Sequence, residues 1–167
     1  MPAVEPVARD GAEDDLGVDL LQVVVTQAAS GEAAGPIAGV VLNRPTGDGL
    51  PDGVERWEDR LDTPAVLFEG GPVELDALIA LGRIEPGSVD DDDAWTTVVG
   101  DIASIDLALD PALVGGPLRR LRVFRGYSGW GPQQLDTELA EGAWMVLPAE
   151  DGDVFSEDPE SLWRAVI

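Results

Sequence analysis

Residues 122–149 read RVFRGYSGWGPQQLDTELAEGAWMVLPA, and this stretch predicts the fold more narrowly than any other part of the chain. Apolar and polar residues alternate over Leu121–Tyr127, which is typical of a strand. Glycines at positions 126, 129 and 131 permit positive φ, so we expect the strand to bend there into a short helix, Pro132–Glu141. Gly142 suits the end of that helix, and Ala143–Leu147 suits a further strand.

Strand-forming runs dominate the rest of the chain. Leu20–Thr26 and Pro36–Leu42 are almost continuously apolar, which indicates strands that are buried on both faces. The small-residue segment Gln27–Gly35 is the predicted loop between them. Further predictions are strands at Val66–Phe68 and Trp95–Val99, and a strand followed by a short helix over Ile102–Leu109.

Two more helices are predicted, one of them in the middle of the chain. Val73–Leu81 carries three apolar residues on one helical face, with Pro72 in the first turn and Gly82 just beyond the end. Pro159–Val166 is the second helix, with Asp158 as its cap. The polar segments between these elements are Asp48–Thr63, which Trp57 is expected to anchor, and the acidic loop Ser88–Ala94.

These elements favour an α+β fold. The expected arrangement is a single domain with a bent, mostly antiparallel, barrel-like sheet and flanking helices. A length of 167 residues suits one domain with a substantial core. Residues 1–17 are acidic and lack periodicity, so we predict a disordered arm there and place the domain at residues 18–167.

The composition restricts the chemistry. The chain contains no Cys, His or Lys, and all ten cationic side chains are arginines. Thiolate nucleophiles, imidazole bases, Cys-bearing metal sites and Schiff-base lysines are therefore excluded. Arginine stays protonated and cannot shuttle protons. We expect a non-catalytic protein that carries no cofactor and no metal.

The charge restricts the partners. The formal net charge is −23, from 33 acidic residues against ten arginines, and such a field repels nucleic acid phosphates. The expected partner is another protein or a small anionic ligand. The chain has no apolar run of about 18 residues that would span a membrane. It also begins without the basic and apolar regions of a secretory signal, so we expect a cytoplasmic location.

Three blocks of sequence carry a family likeness. They are GVVLNRPT at 39–46, LFEGGPVELDAL at 67–78 and the segment at 122–149, with VFSEDPESLWRAVI as the ending. Through them the chain resembles the AlgH/YqgE family of small bacterial proteins, from about Val23 to Ile167. The resemblance implies a single α+β domain with a strongly bent or barrel-like sheet. The name of the family refers to a regulatory role in alginate production, which implies a transcriptional regulator.

The first two blocks supply five candidate ligand-binding residues. Asn43 and Arg44 end an apolar strand, and Arg44 suits a bidentate grip on a carboxylate or phosphate. The alternative for Arg44 is an internal ion pair with Glu69. Glu69, Gly70 and Gly71 precede the predicted helix Val73–Leu81, whose first amides would attract an anion. The alternative there is a tight strand-to-helix turn.

The third block adds Arg125, Tyr127 and Trp130. If its glycine turn lies near the first one, a small anion fits between the two turns, with Arg44 or Arg125 as the clamp. The alternative is that the turn is structural and Trp130 is a packing residue, and we favour the structural interpretation. Arginines 119, 120, 122 and 125 divide between the two faces of a strand, which weakens a nucleic-acid interpretation. Asp90–Asp93 lacks the spacing of a calcium loop.

Three functions follow in order of preference. The first is a non-catalytic cytoplasmic binding or regulatory module whose surface groove engages a protein partner or a small ligand. The second is a small-anion-binding protein or enzyme that uses Asn43, Arg44, Glu69 and Tyr127. The third is a DNA-associated regulator.

Overall fold

The computed structural model describes residues 6–13, 19–26, 37–88, 94–114, 116–147, 150 and 152–166, the first two ranges by their backbone alone. The strands are β1 Pro6–Glu13, β2 Asp19–Thr26, β3 Ile37–Val41, β4 Phe68–Glu69, β5 Val73–Ile84, β6 Trp95–Val99, β7 Ile102–Ile105, β8 Leu118–Trp130 and β9 Met145–Val146. The helices are α1 Pro111–Val114, α2 Gln134–Ala140 and α3 Leu162–Val166, with 3-10 turns at Glu55–Arg60 and Pro159–Ser161.

The strands form one curled sheet in the order β6-β7-β5-β8-β3-β2-β1-β9. The pairs along this path are antiparallel, and β4 adds to β8 in parallel. β8 is the longest strand, with 13 residues, and it joins the two halves of the sheet. Its first part pairs with β5, and Ser128–Trp130 pairs with β3. The predicted α+β class with a bent, mostly antiparallel sheet is confirmed.

Two of the three apolar clusters among the described residues include residues of β5. Alternate residues of β5 serve different clusters, because successive side chains of a strand point to opposite faces. Ala80 and Ile84 join the cluster that includes Trp57 and Trp95, whereas Leu81 joins the cluster around Phe124. Trp57 is fully buried and its indole N–H donates to the Leu107 carbonyl at 3.0 Å, so its predicted anchoring role is confirmed.

The prediction of a helix over Val73–Leu81 is wrong, because this segment lies within strand β5. Its apolar residues 78–81 serve both faces of the sheet, and a strand buried on both faces can imitate one face of a helix. Gly82 is not a helix end but a close-packed strand residue. A Cβ atom there would lie 2.6 Å from the Leu118 Cδ1 atom.

The strand at 121–127 is confirmed, but it does not bend into a helix at the glycines. β8 continues to Trp130, and Gly126 alone of the three glycines has a positive φ, 67°. The helix that follows is confirmed as α2, the strand after it as β9, and the strands near 20–26, 36–42 and 95–99 as β2, β3 and β6. Asp158 precedes the last helical segment, but its side chain makes no capping hydrogen bond.

Other differences are local. The strand predicted at Val66–Phe68 is β4, shifted towards Glu69, and the helix predicted at the end of Ile102–Leu109 begins later, as α1. Strand β1 lies inside the segment that the sequence assigns to an arm, where pairing with β2 and β9 outweighs a weak strand propensity. The predicted loop Gln27–Gly35 and the run Asp90–Asp93 lie outside the described residues.

Candidate functional site

The two glycine segments that the sequence proposes as anion-binding turns lie against each other. The Gly70 N–H donates to the Arg125 carbonyl at 2.8 Å, and a methyl group on Gly71 would overlap the Tyr127 carbonyl carbon. Gly71 has φ 153° and is followed by β5 rather than by a helix. The convergence is therefore a backbone-to-backbone contact, and the amide-rich helix entrance expected at this point does not form.

Arg44 and Glu69 link the adjoining strand ends, and the neighbouring Asn43 is buried. Asn43 is 3% exposed, between β3 and the turn that follows it. The Glu69 N–H donates to the Arg44 carbonyl at 2.9 Å, and the Arg44 Nη2 atom lies 3.9 Å from the Glu69 Oε2 atom. Their side chains are 25% and 36% exposed, so this is a loose, half-exposed ion pair. The structure thus places Arg44 beside the acid that the sequence offers as its internal partner.

Tyr127 lies next to a wide bulge in β5. Val73 pairs with Tyr127 and Leu78 pairs with Arg125, so four residues of β5 face a single residue of β8. Within the bulge Glu74 has φ 47°, a left-handed conformation that side chains rarely adopt. The Tyr127 hydroxyl donates to the Glu74 Oε2 atom at 3.1 Å, and this hydrogen bond raises the pKa of Tyr127. The phenol is held as a donor and not activated as a base.

The basic cluster is divided among different acids. Arg119 pairs with Glu85, and Arg120 pairs with Asp62 at 3.0 Å. The Arg125 Nη1 atom lies 3.8 Å from the Asp48 carboxylate. Since each of these charges has an acidic neighbour, the cluster offers no continuous basic surface for a phosphate backbone.

Trp130 is a packing residue. It is 5% exposed and meets Trp144 edge to face, with ring centroids 5.6 Å apart. Both indole N–H groups donate to the same Glu138 Oε2 atom, at 3.2 Å from Trp130 and 2.6 Å from Trp144. The carboxylate of α2 thereby fixes the helix against the end of β8, and Trp130 has no open face for stacking a ligand.

Arg122 has a role that the sequence does not reveal. It is 1% exposed, and its guanidinium lies 4.4 Å from the centre of the Phe68 ring. It donates to the carbonyls of Thr63, Val154 and Ser156 at 2.9–3.0 Å. Burial lowers its pKa to about 10, opposed by the nearby Asp62 carboxylate. Arg122 thus ties the central strand to the C-terminal segment. Its partners are 32 to 59 residues away, so no local pattern signals this contact.

A groove of about 460 Å³ lies at the β6 end of the sheet. Ile84, Trp95 and Ala103 give it an apolar floor, and the turn at 85–88 forms one wall. Thr97 and Asp101 also line it. Asp101 pairs with Arg83 at 3.2 Å, and Glu85 of the wall pairs with Arg119. The volume falls in the range of ligand-binding clefts, so this groove offers a concave surface to a partner.

Sequence reasoning missed the groove, because strands β5, β6 and β7 must pair before it exists. Within the described part of the chain, no group of three or more His, Cys, Asp or Glu side chains is arranged to hold a metal ion. No helix among the described residues is long and apolar enough to cross a membrane.

Comparison with known proteins places the chain in a family. A family model described as AlgH-like matches residues 22–167. A UPF0301 protein of Streptomyces avermitilis is 48% identical over 132 residues, which cover 77% of this chain and 68% of the relative. A UPF0301 protein of Rhodococcus opacus is 32% identical over 170 residues, covering 99% of this chain and 84% of the relative.

Solved structures show the same fold. The crystal structure of a Corynebacterium diphtheriae protein matches 98% of this chain and 84% of its own, with a TM-score of 0.81 at 23% identity. The solution structure of the AlgH protein from Pseudomonas aeruginosa matches 99% of this chain and 88% of its own, with a TM-score of 0.67, also at 23% identity.

Proposed function

Because the chain belongs to the AlgH-like family, we propose that it acts as a non-catalytic, cytoplasmic binding or regulatory module that holds a partner in the groove beside β6. The observation that carries the proposal is the groove itself, with its apolar floor and its polar walls. A few polar groups around an apolar concavity are the usual composition of a recognition site.

The polar groups of the family blocks support a non-catalytic role. An enzyme would need a reactive group with a free face, whereas the Tyr127 hydroxyl is engaged by Glu74 and its pKa is raised. Gly70 and Gly71 are occupied by the backbone of β8. These residues therefore act as structural supports that set the curvature of the sheet, and recognition takes place at the sheet end.

Position-specific photo-crosslinking tests this proposal. A benzophenone amino acid replaces Thr97, an exposed residue of the groove, in protein produced in the native cell. The matched control carries the same group at Thr137, an exposed residue of α2. We expect a discrete adduct from position 97 and none from position 137. Equal labelling from both positions, or no adduct from position 97, would contradict the proposal.

A further inference from the structure

The bulge of β5, residues 74–77, displays an apolar side chain to solvent beside a second one. Leu75 within the bulge is 57% exposed, and Val73 immediately before it is 37% exposed. Every residue from Pro72 to Asp76 is exposed. A single exposed apolar side chain is common on a protein surface, whereas neighbouring ones in an exposed segment indicate a contact surface for another molecule.

The chain reaches the bulge by crossing over β8. Strands β4 and β5 both pair with Phe124, so they lie along opposite edges of β8 and residues 70–72 cross it. Gly126 lies at this crossing, where a Cβ atom would overlap the Gly71 carbonyl oxygen and would lie 3.3 Å from the Leu75 Cδ2 atom. One side of Leu75 therefore rests on the backbone of β8, and the other side faces solvent.

Glu74 gives the bulge a fixed shape. Its φ is 47°, a left-handed conformation that is unfavourable for a residue with a side chain. The hydrogen bond of 3.1 Å from the Tyr127 hydroxyl to the Glu74 carboxylate holds this conformation. Backbone strain of this kind is concentrated at functional sites. A segment that is already ordered also loses little conformational freedom on association, which favours binding.

The charges beside Leu75 select the partner. Glu74 and Asp76 precede and follow Leu75, and both are exposed. Among the described residues neither carboxylate pairs with an arginine, and Glu74 accepts its hydrogen bond from a neutral phenol, so both charges remain uncompensated. Two carboxylates beside an exposed leucine complement an apolar pocket with a cationic rim. The net charge of −23 opposes contact with a second copy of this chain.

We propose that the bulge of β5 is a second interaction surface, which inserts Leu75 into an apolar pocket of a partner protein whose rim carries arginine or lysine side chains. This surface is separate from the groove, because Leu78 beside the bulge and Ile84 in the groove stand about 20 Å apart along β5. The inference goes beyond the proposed function, since the partner at the bulge is a different protein from the one held in the groove.

Photo-crosslinking from the start of the bulge identifies the partner. A benzophenone amino acid replaces the exposed Pro72, which leaves every residue of the bulge in place, in the full chain produced in the native cell. The control carries the same group at Thr137, an exposed residue of α2. We expect a discrete adduct from position 72 and none from position 137. The captured protein is then identified by mass spectrometry and purified, and its affinity for the full chain is measured by calorimetry.

A matched pair of leucine variants tests the apolar contact. Leu75→Ala removes the side chain that enters the pocket, and Leu113→Ala removes a leucine of α1 that is 66% exposed. We expect at least about a tenfold loss of affinity for the purified partner in the first variant and less than about a twofold change in the second. Circular dichroism confirms that both variants are folded.

A matched pair of charge variants tests the cationic rim. Asp76→Arg reverses a charge beside Leu75, and Asp52→Arg reverses an exposed charge elsewhere. We expect about a tenfold loss of affinity in the first variant and less than about a twofold change in the second. Affinity of the unmodified protein should also fall as salt rises from about 50 to about 500 mM, because salt screens the paired charges.

Several outcomes would overturn the inference. They are absence of an adduct from position 72, equal affinity of the two leucine variants, equal affinity of the two charge variants, and capture of a second copy of this chain. Capture of the same protein from positions 72 and 97 would also overturn it. An adduct from position 97 alone leaves the proposed function standing and removes the second surface, whereas an adduct from position 72 alone does the reverse.

Discussion

Replacing Arg122 by methionine should destabilise the protein by about 2 kcal/mol, and the structure gives the reasons. Methionine keeps much of the buried volume but has no donors for the carbonyls of Thr63, Val154 and Ser156. The hydrogen bond from Arg122 to the Val154 carbonyl is buried, and a buried acceptor left without a donor costs about 1–3 kcal/mol. The contact with the Phe68 ring is also lost, at about 1 kcal/mol.

Removing the buried charge of Arg122 acts in the opposite direction, because burying that charge destabilises the folded protein. Burial lowers the pKa of Arg122 to about 10, which corresponds to a cost of about 3 kcal/mol for burying the charge, and the methionine variant avoids this cost. At the low end of about 1.5–3 kcal/mol for each hydrogen bond from a charged donor, the three bonds together with the ring contact exceed this cost and leave a net loss of about 2 kcal/mol. Since the folded-state pKa is lowered, the cost is fully present below about pH 10 and is relieved only above it. The difference between the two proteins should therefore be constant across the neutral range.

Urea unfolding followed by tryptophan fluorescence measures the effect. Arg119→Met is the matched control, because Arg119 forms an exposed ion pair with Glu85, and its change should stay within about 0.5 kcal/mol. An Arg122→Met protein as stable as the wild type, or more stable, would refute the reasoning. Some buried ion pairs can be exchanged for apolar groups without loss of stability. Such a result here would mean that the cost of burying the Arg122 charge exceeds the contribution of its three hydrogen bonds.

Three other predictions concern the same region. Gly71→Ala should lower the free energy of unfolding by about 3 kcal/mol or more, since the added methyl group overlaps the backbone of β8. Gly47→Ala, which has open space around it, is the control and should change urea unfolding little. Tyr127 is the single tyrosine, so ultraviolet titration reports it directly. Its midpoint should lie above the ordinary value and fall in Glu74→Ala, and an unchanged midpoint would count against the hydrogen bond. Glu138→Ala should lower the free energy of unfolding by about 2 kcal/mol, because two indole donors lose a charged acceptor; no loss in urea unfolding would contradict that role.

The sequence predicts the fold well where local and tertiary preferences agree. In the segment 122–149, the strand, α2 and β9 follow from alternation, helical spacing and a stop glycine. The prediction of a helix over Val73–Leu81 fails because burial on both faces of β5 produces an apolar pattern that also fits a helix. Periodicity cannot distinguish the two without knowledge of the neighbouring strands.

The candidate site is less predictable for a geometric reason. Arg44 and Glu69 are near each other, as the sequence suggests, but Glu74 reaches Tyr127 only through the bulge in β5. The groove depends on how β5 ends beside the β6–β7 hairpin. Such contacts between residues far apart in sequence leave no local signal.

The central claim is that the protein engages its partner at the β6 end of the sheet. Amide hydrogen exchange, measured on the protein alone and with the partner captured through position 97, tests this most directly. We expect slower exchange in Trp95–Val99 and in the wall at 85–88, with the bulge of β5 unchanged. Protection confined to the Tyr127 end of the sheet, with β6 exchanging as before, would contradict the claim.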